Sequence, residues 1–512
     1  MKVKPLQIHW HEMQPIFSVD LDPQGGRDRL ATAGGDNTVR IWRIVRTGEE
    51  NDADIRIEYR STLNRHAAAV NVVRFSPEGE ILASAGDDGS IILWTQADAS
   101  SKNSLLESGD ADIEHETWKI VSILRGSLAD IYDLAWSPCG DYIISGSIDN
   151  TARIWDVKQA KCIHVIADHH HYIQGVAWDP LGKYVATQSS DRSVGIYEYT
   201  TSPNGSLSFR SVSKSTKLEQ MRPPSSNEAK PAEAKVQPPA NDTPLPPVIG
   251  TESSGTEQTP PPAADTLPSS APKPRPHKST QRIYYDENLM SFFRRLAFTP
   301  DGAFLLTPAG HYREPSDLRG EEDLRNTVYI YPRSGLHRQP IAHLPGHRRP
   351  SIAVRCNPVR FKLREECGAW CELPYRMVYA VATQDAVFVY DTQQQGALAM
   401  IGNLHYATIT DVAWSRDGRI LLLCSTDGFC SVVSFDSGEL GEPYGPPQTQ
   451  AQAPQRLQAQ GQGGFPSTPV SGGEPRMNHG DVGRACKQIS GKEGVAASGK
   501  RRRIQPTFLA PL

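Results

Sequence analysis

Two short segments carry side chains that could bind a metal ion. The first, residues 168–172, holds three consecutive histidines, and the second places the thiols of Cys367 and Cys371 in the run CGAWC. A metal site needs donors that converge on one ion in a defined geometry, which adjacent residues of a single loop rarely supply. No C-x-x-C pair occurs, and no second cysteine pair stands at ligand spacing. We therefore predict no metal site.

Motifs of common catalytic sites are also absent from the sequence. It contains no nucleophile elbow, no phosphate-binding loop and no zincin helix. We therefore predict that the chain has no catalytic residues, needs no cofactor and is not an enzyme.

A histidine, a hydroxyl group, an aspartate and an aromatic ring recur at fixed spacing. In four segments a Ser or Thr lies ten positions, and an Asp six positions, before an aromatic residue: Thr32, Asp36 and Trp42; Ser84, Asp88 and Trp94; Ser145, Asp149 and Trp155; Thr187, Asp191 and Tyr197. Four histidines lie nine positions before the end of an apolar strand: His66, His169, His347 and His405. The second repeat holds a complete set, namely His66, Ser84, Asp88 and Trp94, whereas the third has Ser127 at the histidine position. Because buried polar groups need hydrogen-bond partners, these sets are predicted to be structural.

The repeats that contain these sets predict the fold. Each has an apolar strand, a turn such as SPEG, SPCG, DPLG, TPDG or SRDG, and a strand that leads to the aspartate turn. This pattern is typical of WD40 repeats, each of which forms one blade of a propeller. Seven repeats are present, and the opening KVKPLQIHW is placed to supply the outer strand of the last blade and close the ring. We predict an all-β, seven-bladed WD40 β-propeller.

Two segments have compositions that do not support a packed core. Residues 201–280 contain 16 of the 40 prolines and one aromatic residue, Phe209, and residues 441–512 are rich in Gln, Gly, Pro and Ser. Such segments bury too little apolar surface to offset the entropy of ordering. The predicted organisation is blades 1–4 in residues 1–200, a disordered insertion in 201–280, blades 5–7 in 281–440 and a disordered tail in 441–512.

Charge and cysteine content limit the partners and the compartment. The formal net charge of the 512 residues is −4, so any contact with nucleic acid is expected to be local. The eight cysteines are scattered, which suits a reducing compartment. The first residues have no apolar leader core, and no run of about 18 apolar residues occurs. Neither secretion nor a membrane association is expected.

Several stretches are more specific than a general propeller pattern. Among them are HAAAVNVVRFSPEGEILASAGDD, SFFRRLAFTPDGAFLLTPAG, PIAHLPG and LPYRMVYAVATQDAVFVYDTQQ. In these stretches the chain resembles the family of the B subunit of chromatin assembly factor 1. The B subunit is the middle subunit of that factor and bears its propeller. The resemblance implies a three-subunit nuclear histone chaperone that deposits histone H3–H4 on newly replicated or repaired DNA. It also implies binding to the large and small subunits, docking of the anti-silencing-function chaperone, direct or indirect contact with H3–H4, and no sequence-specific DNA binding.

The resemblance also gives a role to residues 500–506, KRRRIQP. The family docks the anti-silencing-function chaperone through an Arg–Arg–x–Ile segment with a nearby proline, and the matching residues here are Arg501, Arg502, Arg503, Ile504 and Pro506. By resemblance, this segment adds as an edge strand to a sheet of that chaperone. The cations Lys500, Arg501, Arg502 and Arg503 also match a nuclear-import signal, which predicts a nuclear location.

Other functions remain open at this stage. Propellers also serve as substrate receptors of ubiquitin ligases, which often carry Arg two positions after a Trp–Asp pair, where this chain has Lys158. A replication-independent histone-regulator propeller is a second alternative. Direct nucleic-acid binding through the cationic run is a third, and it would be weak and salt-sensitive. In SFFRR, Arg294 and Arg295 are expected either to alternate in burial along a strand or to contact a partner from the propeller rim.

Overall fold

The computed structural model describes residues 1–24, 27–47, 54–97, 116–202, 206–221, 278–313, 324–365 and 371–445. They divide into two units, one that runs to Lys217 and continues from Arg282, and one whose described residues are 218–221 and 278–281. The strands Lys217–Met221 and Lys278–Arg282, which contain the described residues of the second unit, pair with each other as a two-stranded sheet. Within the described residues no helix has the length and apolarity required to cross a membrane.

The first unit is a propeller, and its described part contains seven four-stranded antiparallel sheets, each of which is one blade. The strands of blades 1 to 4, from the innermost outward, are Ile16–Leu21, Arg29–Gly34, Thr38–Thr47 and Asp54–Asn64; Val70–Phe75, Ile81–Gly86, Ser90–Gln96 and Trp118–Arg125; Ile131–Trp136, Tyr142–Ser147, Ala152–Asp156 and Lys161–Ile166; Ile173–Trp178, Tyr184–Ser189, Ser193–Thr201 and Leu207–Ser215. Those of blades 5 to 7 are Ala297–Phe298, Phe304–Arg313, Leu324–Pro332 and Ala342–His343; Ser351–Phe361, Arg376–Thr383, Ala386–Asp391 and Ala399–Gly402; Ile409–Trp414, Ile420–Ser425, Cys430–Ser434 and Lys2–Leu6. The seven-bladed propeller predicted from the repeats is confirmed.

The innermost strand and its turn show how the sequence builds a blade. Val70–Phe75 of blade 2 is buried at every position, which its β-branched and aromatic residues favour. In the SPEG turn that follows, the Gly79 N–H donates to the Ser76 carbonyl, and Gly79 adopts a φ of +68°. Glycine adopts this left-handed conformation without the steric cost of a Cβ. Glycines at the same point of four other blades share it: Gly140, Gly182, Gly302 and Gly418.

The hydrophobic core lies between neighbouring blades. Blades 7 and 1 share one cluster, which includes Leu6, Ile16, Trp42 and Leu422. Other clusters join blade 1 to blade 2, blade 2 to blade 3, and blade 6 to blade 7. Each of these sheets is therefore buried against a neighbour, which explains why its strands are apolar on more than one face.

The first strand of the chain closes the ring, as predicted. Lys2–Leu6 pairs antiparallel with Cys430–Ser434, with Leu6 opposite Cys430. The amino group of Met1 lies 2.6 Å from a carboxylate oxygen of Glu439. Blade 7 thus joins the two ends of the propeller by main-chain hydrogen bonds.

Two predicted boundaries differ from the structure. The outer strand of blade 4, Leu207–Ser215, lies inside the segment predicted to be a disordered insertion. Its sequence LSFRSVSKS is mostly polar, as suits an outer strand with one exposed side. The sequence therefore lacks the apolar pattern by which a strand is predicted. Residues 441–445, predicted to belong to the tail, run beside blade 6, where the Tyr444 N–H donates to the Arg360 carbonyl at 2.7 Å. The rest of the predicted insertion and tail lies outside the described residues.

Candidate functional site

The four side chains of the predicted set in blade 2 form one hydrogen-bonded chain. His66 Nδ1 lies 2.9 Å from Asp88 Oδ2, and His66 Nε2 lies 2.8 Å from Ser84 Oγ. The Trp94 Nε1–H donates to the same Oγ at 2.8 Å. An indole only donates and a carboxylate only accepts, so the chain runs in one direction, from the indole through the hydroxyl and the imidazole to the carboxylate.

The carboxylate at the end of this chain is held in its charged form. Burial by itself would raise the pKa of Asp88, but hydrogen bonds from His66 and Ser90 outweigh burial and hold the pKa well below its ordinary value. Asp88 also accepts from the main-chain N–H groups of Ala67 and Ser90. The set therefore ties the loop before the innermost strand to the turn between the second and third strands.

Blade 1 contains a complete set whose histidine does not lie at the predicted spacing of nine positions before the end of the strand. His11 Nδ1 lies 2.7 Å from Asp36 Oδ1, and His11 Nε2 lies 2.8 Å from Thr32 Oγ1. The Trp42 Nε1–H donates to the same Thr32 oxygen at 2.9 Å. His11 lies ten positions before the end of its strand instead of nine, and the loop accommodates the extra residue with a left-handed backbone at Met13, where φ is +64°.

Blade 5 builds the set from tyrosines. The Tyr284 hydroxyl lies 2.8 Å from Thr307 Oγ1 and 2.9 Å from the Tyr331 hydroxyl. Burial raises the pKa of Tyr284 well above its ordinary value, so the phenol stays protonated. A phenol thus replaces the imidazole, a substitution that a search for histidine does not detect.

Blade 3, which lacks the histidine, keeps part of the set. Trp155 still donates to Ser145 Oγ at 2.9 Å. Asp149 pairs with Arg153 at 2.7 Å, and hydrogen bonds from Arg153 and Thr151 outweigh burial and lower the pKa of Asp149 to about 2. Blade 1 contains the same pair, Arg40 with Asp36 at 3.1 Å, so the arginine supports the charged aspartate but does not replace the bond between the imidazole and the hydroxyl.

Two predicted histidine positions hold incomplete sets. His347 Nε2 lies 2.8 Å from the Tyr390 hydroxyl and not beside an aspartate, because Asp385 of this turn accepts from a hydroxyl within the turn. Burial lowers the pKa of His347 to about 4. His405 Nδ1 does lie 3.0 Å from Asp427 Oδ2, but Leu and Val stand where blade 2 has its hydroxyl and indole.

The hydroxyl groups of the complete sets are enclosed. Thr32, Ser84 and Thr187 are 0% exposed. A nucleophilic hydroxyl must reach its substrate, and these are each bonded to an imidazole inside the sheet. The hydrogen bonds of these sets therefore have a structural role, which is to hold the turns against the blade strands.

The three histidines of residues 168–172 do not converge. His169 lies 3.1 Å from Asp191 and 2.7 Å from Thr187, so it belongs to the set of blade 4, whereas His171 Nδ1 lies 2.5 Å from Ser190 Oγ. Across the described residues, no group of three or more His, Cys, Asp or Glu side chains is arranged to hold a metal ion. Cys139, Cys162, Cys356, Cys424 and Cys430 are free thiols, the Cys371 thiol donates to the Thr392 carbonyl at 3.3 Å, and Cys367 lies outside the described residues.

A buried network of charges joins the innermost strands. Arg295 Nη1 lies 2.8 Å from Asp411 Oδ2, and Arg74 Nη2 lies 2.8 Å from the same oxygen. Arg295 Nε also lies 3.5 Å from Asp133 Oδ1. Burial raises the pKa of Asp133 to about 6, although Arg295 and Arg74 favour its charged form. These residues come from blades 2, 3, 5 and 7, and sequence reasoning had no signal that would pair them.

Arg294 and Arg295 are both 0% exposed, so neither alternation of burial nor contact from the rim is correct. Arg294 donates to the main-chain carbonyls of Tyr285 and Asp286. Arg295 donates to the carbonyls of Phe17 and Asn71 at 3.0 and 2.7 Å. Arg294 is buried against the segment before blade 5, whereas Arg295 reaches the innermost strands of blades 1, 2 and 7.

Comparison with known proteins decides which propeller family this is. Residues 1–231 and 263–440 match the CAF1B/HIR1 β-propeller domain. The chain belongs to this family.

Relatives of this chain include proteins named as the B subunit of chromatin assembly factor 1. It is 36% identical to the one from Gallus gallus over 457 residues, which cover 86% of this chain and 69% of the relative. It is 38% identical to the one from Schizosaccharomyces pombe over 473 residues, which cover 86% and 89%. It is 25% identical to the protein HIR1 of Kluyveromyces lactis over 463 residues, which cover 86% and 44%. The resemblance found in the sequence is confirmed.

The predicted docking and import residues of this family member cannot be placed. Lys500, Arg501, Arg502, Arg503, Ile504 and Pro506 lie outside the described residues. Their roles stay predictions.

The CAF1B/HIR1-type propeller has exposed apolar side chains on one face. Neighbouring innermost strands run in the same direction, as the parallel bridge between Arg295 and Ala353 illustrates, so the loops that precede them share a face, which we call the entry face. Exposed apolar residues of these loops are Met13, Leu128, Tyr172, Met290, Phe292 and Tyr406. Exposed apolar groups of this kind are typical of protein-binding surfaces.

A cavity on the opposite face is lined by charged residues, some of which already have ion-pair partners. It has a volume of about 1050 Å³, and Arg29, Arg46 and Asp417 are among its lining residues. Arg46 lies 2.6 Å from Asp417, and Arg29 lies 3.0 Å from Glu116. The entry face is therefore the better candidate for a docking surface.

Proposed function

We propose that this chain is a non-enzymatic subunit of a nuclear histone chaperone complex of the chromatin assembly factor 1 type, which deposits histone H3–H4 on newly replicated or repaired DNA. The observation that supports this function is the similarity to the B-subunit proteins along the whole propeller. A ring that closes on its own first strand is a rigid scaffold suited to holding the large subunit. Contact with the small subunit and with H3–H4, direct or through the other subunits, belongs to the same proposal.

A replication-independent histone regulator is the second candidate function. The similarity to HIR1 covers 86% of this chain, as the similarity to the B-subunit proteins does, and for this reason we retain the alternative. The identity is 25%, against 38% for the fission yeast B-subunit protein, and this difference favours the first function.

Within that function, we assign Arg501, Arg502, Arg503, Ile504 and Pro506 to docking of the anti-silencing-function chaperone. An exposed ion pair contributes roughly 0.2–1 kcal/mol, whereas burial of an isoleucine contributes roughly 1.5–3 kcal/mol. Ile504 should therefore be the most damaging single loss for docking. Nuclear import depends on Lys500 to Arg503 and should not need Ile504.

The test is to purify the tagged full chain from nuclear extract and identify its partners by mass. Wild type should bring the large and small subunits, histones and the anti-silencing-function chaperone. Ile504→Ala should weaken only the chaperone contact, by about 10–100-fold, while Arg501→Ala/Arg502→Ala should impair nuclear entry as well.

Ile489→Ala is the matched control, because Ile489 lies in the same tail without a preceding arginine pair. It should behave as wild type. Normal chaperone binding by Ile504→Ala would disprove the docking assignment alone. Recovery of a ubiquitin-ligase adaptor, or of no histone-handling partner, would overturn the proposed function itself.

A further inference from the structure

A cavity of about 430 Å³ opens on the entry face among the innermost-strand ends of blades 3, 4, 5 and 7. Its base is aromatic, with the Tyr132 ring 6.0 Å from Phe292 and 6.5 Å from Phe293 between centroids. Phe292 is 60% exposed, and Met290 beside it is 84% exposed. The cavity therefore offers apolar surface to a ligand from solvent.

The charged group that lines the cavity is acidic, although the buried Arg295 guanidinium lies 4.0 Å from the centroid of the lining Phe293 ring. Glu287 lines the cavity and is exposed, and none of the cavity's described lining residues is a cation. Asp130 and Asp87 stand close to Tyr132, and together with burial, which acts most strongly, they raise the pKa of its phenol to about 12. Asp87 and Asp130 thus stand near Tyr132, and Glu287 is a separate lining residue of the cavity.

Asp87 and Asp130 are held beside each other without a cation. The Asn71 amide donates to Asp87 Oδ1 at 2.6 Å and to the Ile131 carbonyl at 3.0 Å, which fixes Asp87 against the start of the blade 3 strand. Within the described part of the chain, neither carboxylate forms an ion pair. Burial and the charge of Asp87 raise the pKa of Asp130, the direction expected for a carboxylate beside a like charge.

A buried side chain at the cavity has an unused acceptor. Gln174 lines the cavity and is 7% exposed. Its Nε2 donates to the Ser291 carbonyl at 3.2 Å, but its Oε1 accepts no hydrogen bond within the described residues. A buried acceptor without a donor is unfavourable, so a ligand that supplies an N–H group would be stabilised here.

We propose that this cavity binds an extended cationic peptide segment of a partner protein, with an arginine or lysine side chain over Tyr132 beside Asp87 and Asp130, and a neighbouring apolar side chain against Phe292. This inference goes beyond the proposed function, which assigns no partner to this cavity.

The chemistry of the site favours this occupant over others. A bare metal ion needs several oxygen ligands that converge, and no such group occurs in the described residues. Nucleic acid and anionic lipid would be repelled by the carboxylates. Arg and Lys combine an apolar stem with a charged head that stacks on aromatic rings and pairs with carboxylates. The base and the rim of the cavity present those two surfaces together.

The test uses the immobilised full chain and a library of eight-residue peptides with a fixed central arginine and randomised apolar neighbours. An identical library with citrulline at the centre has the same shape without the charge. The arginine library should be retained about tenfold better than the citrulline library. Equal retention would overturn the proposal.

Variants of the chain locate the binding. Asp130→Asn and Phe292→Ser should each reduce arginine-specific retention severalfold, and both should keep the wild-type melting temperature because neither side chain is buried. Glu78→Gln removes an exposed carboxylate of the opposite face and should bind as wild type. Equal loss in Glu78→Gln and Asp130→Asn would mean non-specific charge attraction and would disprove the site. A large gain in retention after Lys500 to Arg503 are replaced by Gln would also overturn the proposal, since the chain's own tail would then be the occupant.

Discussion

At the scale of single residues, one hydrogen-bonded set recurs with different chemical parts. Blades 1, 2 and 4 use an imidazole between a hydroxyl and a carboxylate, while in blade 5 the Tyr284 phenol lies between a threonine hydroxyl and a second phenol. Blade 3 pairs its aspartate with an arginine. In these five blades more than one residue type supplies partners for the buried polar groups, whereas in blades 6 and 7 His347 Nδ1 and His405 Nε2 have none within the described residues.

The central hydroxyl should contribute most to this set, because two partners depend on it. Replacing Ser84 by Ala leaves His66 Nε2 and Trp94 Nε1 without their partner inside the sheet. Each buried unsatisfied group costs about 1–3 kcal/mol, so for the two groups we expect a loss of about 2–6 kcal/mol in the free energy of unfolding, measured by urea denaturation.

Ser431→Ala is the matched control. Ser431 is also 0% exposed and lies in a blade strand, but its hydroxyl makes no hydrogen bond within the described residues. Its removal should change stability by less than about 0.5 kcal/mol. Similar losses for the two serines would show that the set adds nothing beyond packing.

At the scale of elements, we expect the strand that closes the ring to detach more easily than the other blade strands. Lys2–Leu6 is separated from its partner strand by more than 400 residues of chain and is held by five paired positions. Its anchor is Leu6, which is 6% exposed and lies in the cluster that blades 7 and 1 share. Without this strand the edge of Cys430–Ser434 would be open to pairing with other chains.

Loss of the anchor should therefore loosen blade 7. Leu6→Ala should cost about 2–4 kcal/mol of stability, and amide hydrogen exchange of Cys430–Ser434 should become faster. Lys4→Ala, in the same strand but exposed, should leave both quantities near those of wild type. If exchange at Cys430–Ser434 is the same in both variants, main-chain pairing alone holds the ring closed.

At the scale of the whole molecule, the buried charges connect blades that share no strand pairing. Asp411 of blade 7 accepts from Ser18 of blade 1 at 2.9 Å and lies 2.8 Å from Arg74 of blade 2 and from Arg295 beside blade 5. A buried charge costs free energy unless it is paired with an opposite charge. The network therefore favours the arrangement of blades in which these buried Arg and Asp side chains meet.

Removing the shared carboxylate should destabilise the propeller as a whole. Asp411→Asn keeps the shape but leaves Arg74 and Arg295 without their common partner, and we expect a loss of about 3–5 kcal/mol in the free energy of unfolding. Asp141→Asn breaks the exposed pair with Lys158, whose atoms are 2.6 Å apart, and should cost less than about 1 kcal/mol. Equal effects in tryptophan-monitored denaturation would mean that the buried network does not hold the blades together.

The sequence by itself determined the repeat number, the blade turns and the family. These follow from residues close together in the chain: the glycine turns and the Ser84–Asp88–Trp94 spacing lie within one blade, where strand geometry fixes which positions meet. It also indicated the closing strand, because an unpaired edge in the last blade demanded one.

Tertiary structure alone decided the features that join distant segments. The extra loop residue at His11 hides its set from a spacing rule, and the polar outer strand Leu207–Ser215 has no pattern of its own until Ser193–Thr201 pairs with it. Arg295 meets Asp411 across 115 intervening residues, and the entry-face cavity draws its lining from four blades. Local spacing contains no information about such contacts, because they depend on the angles and register at which whole blades pack around the ring.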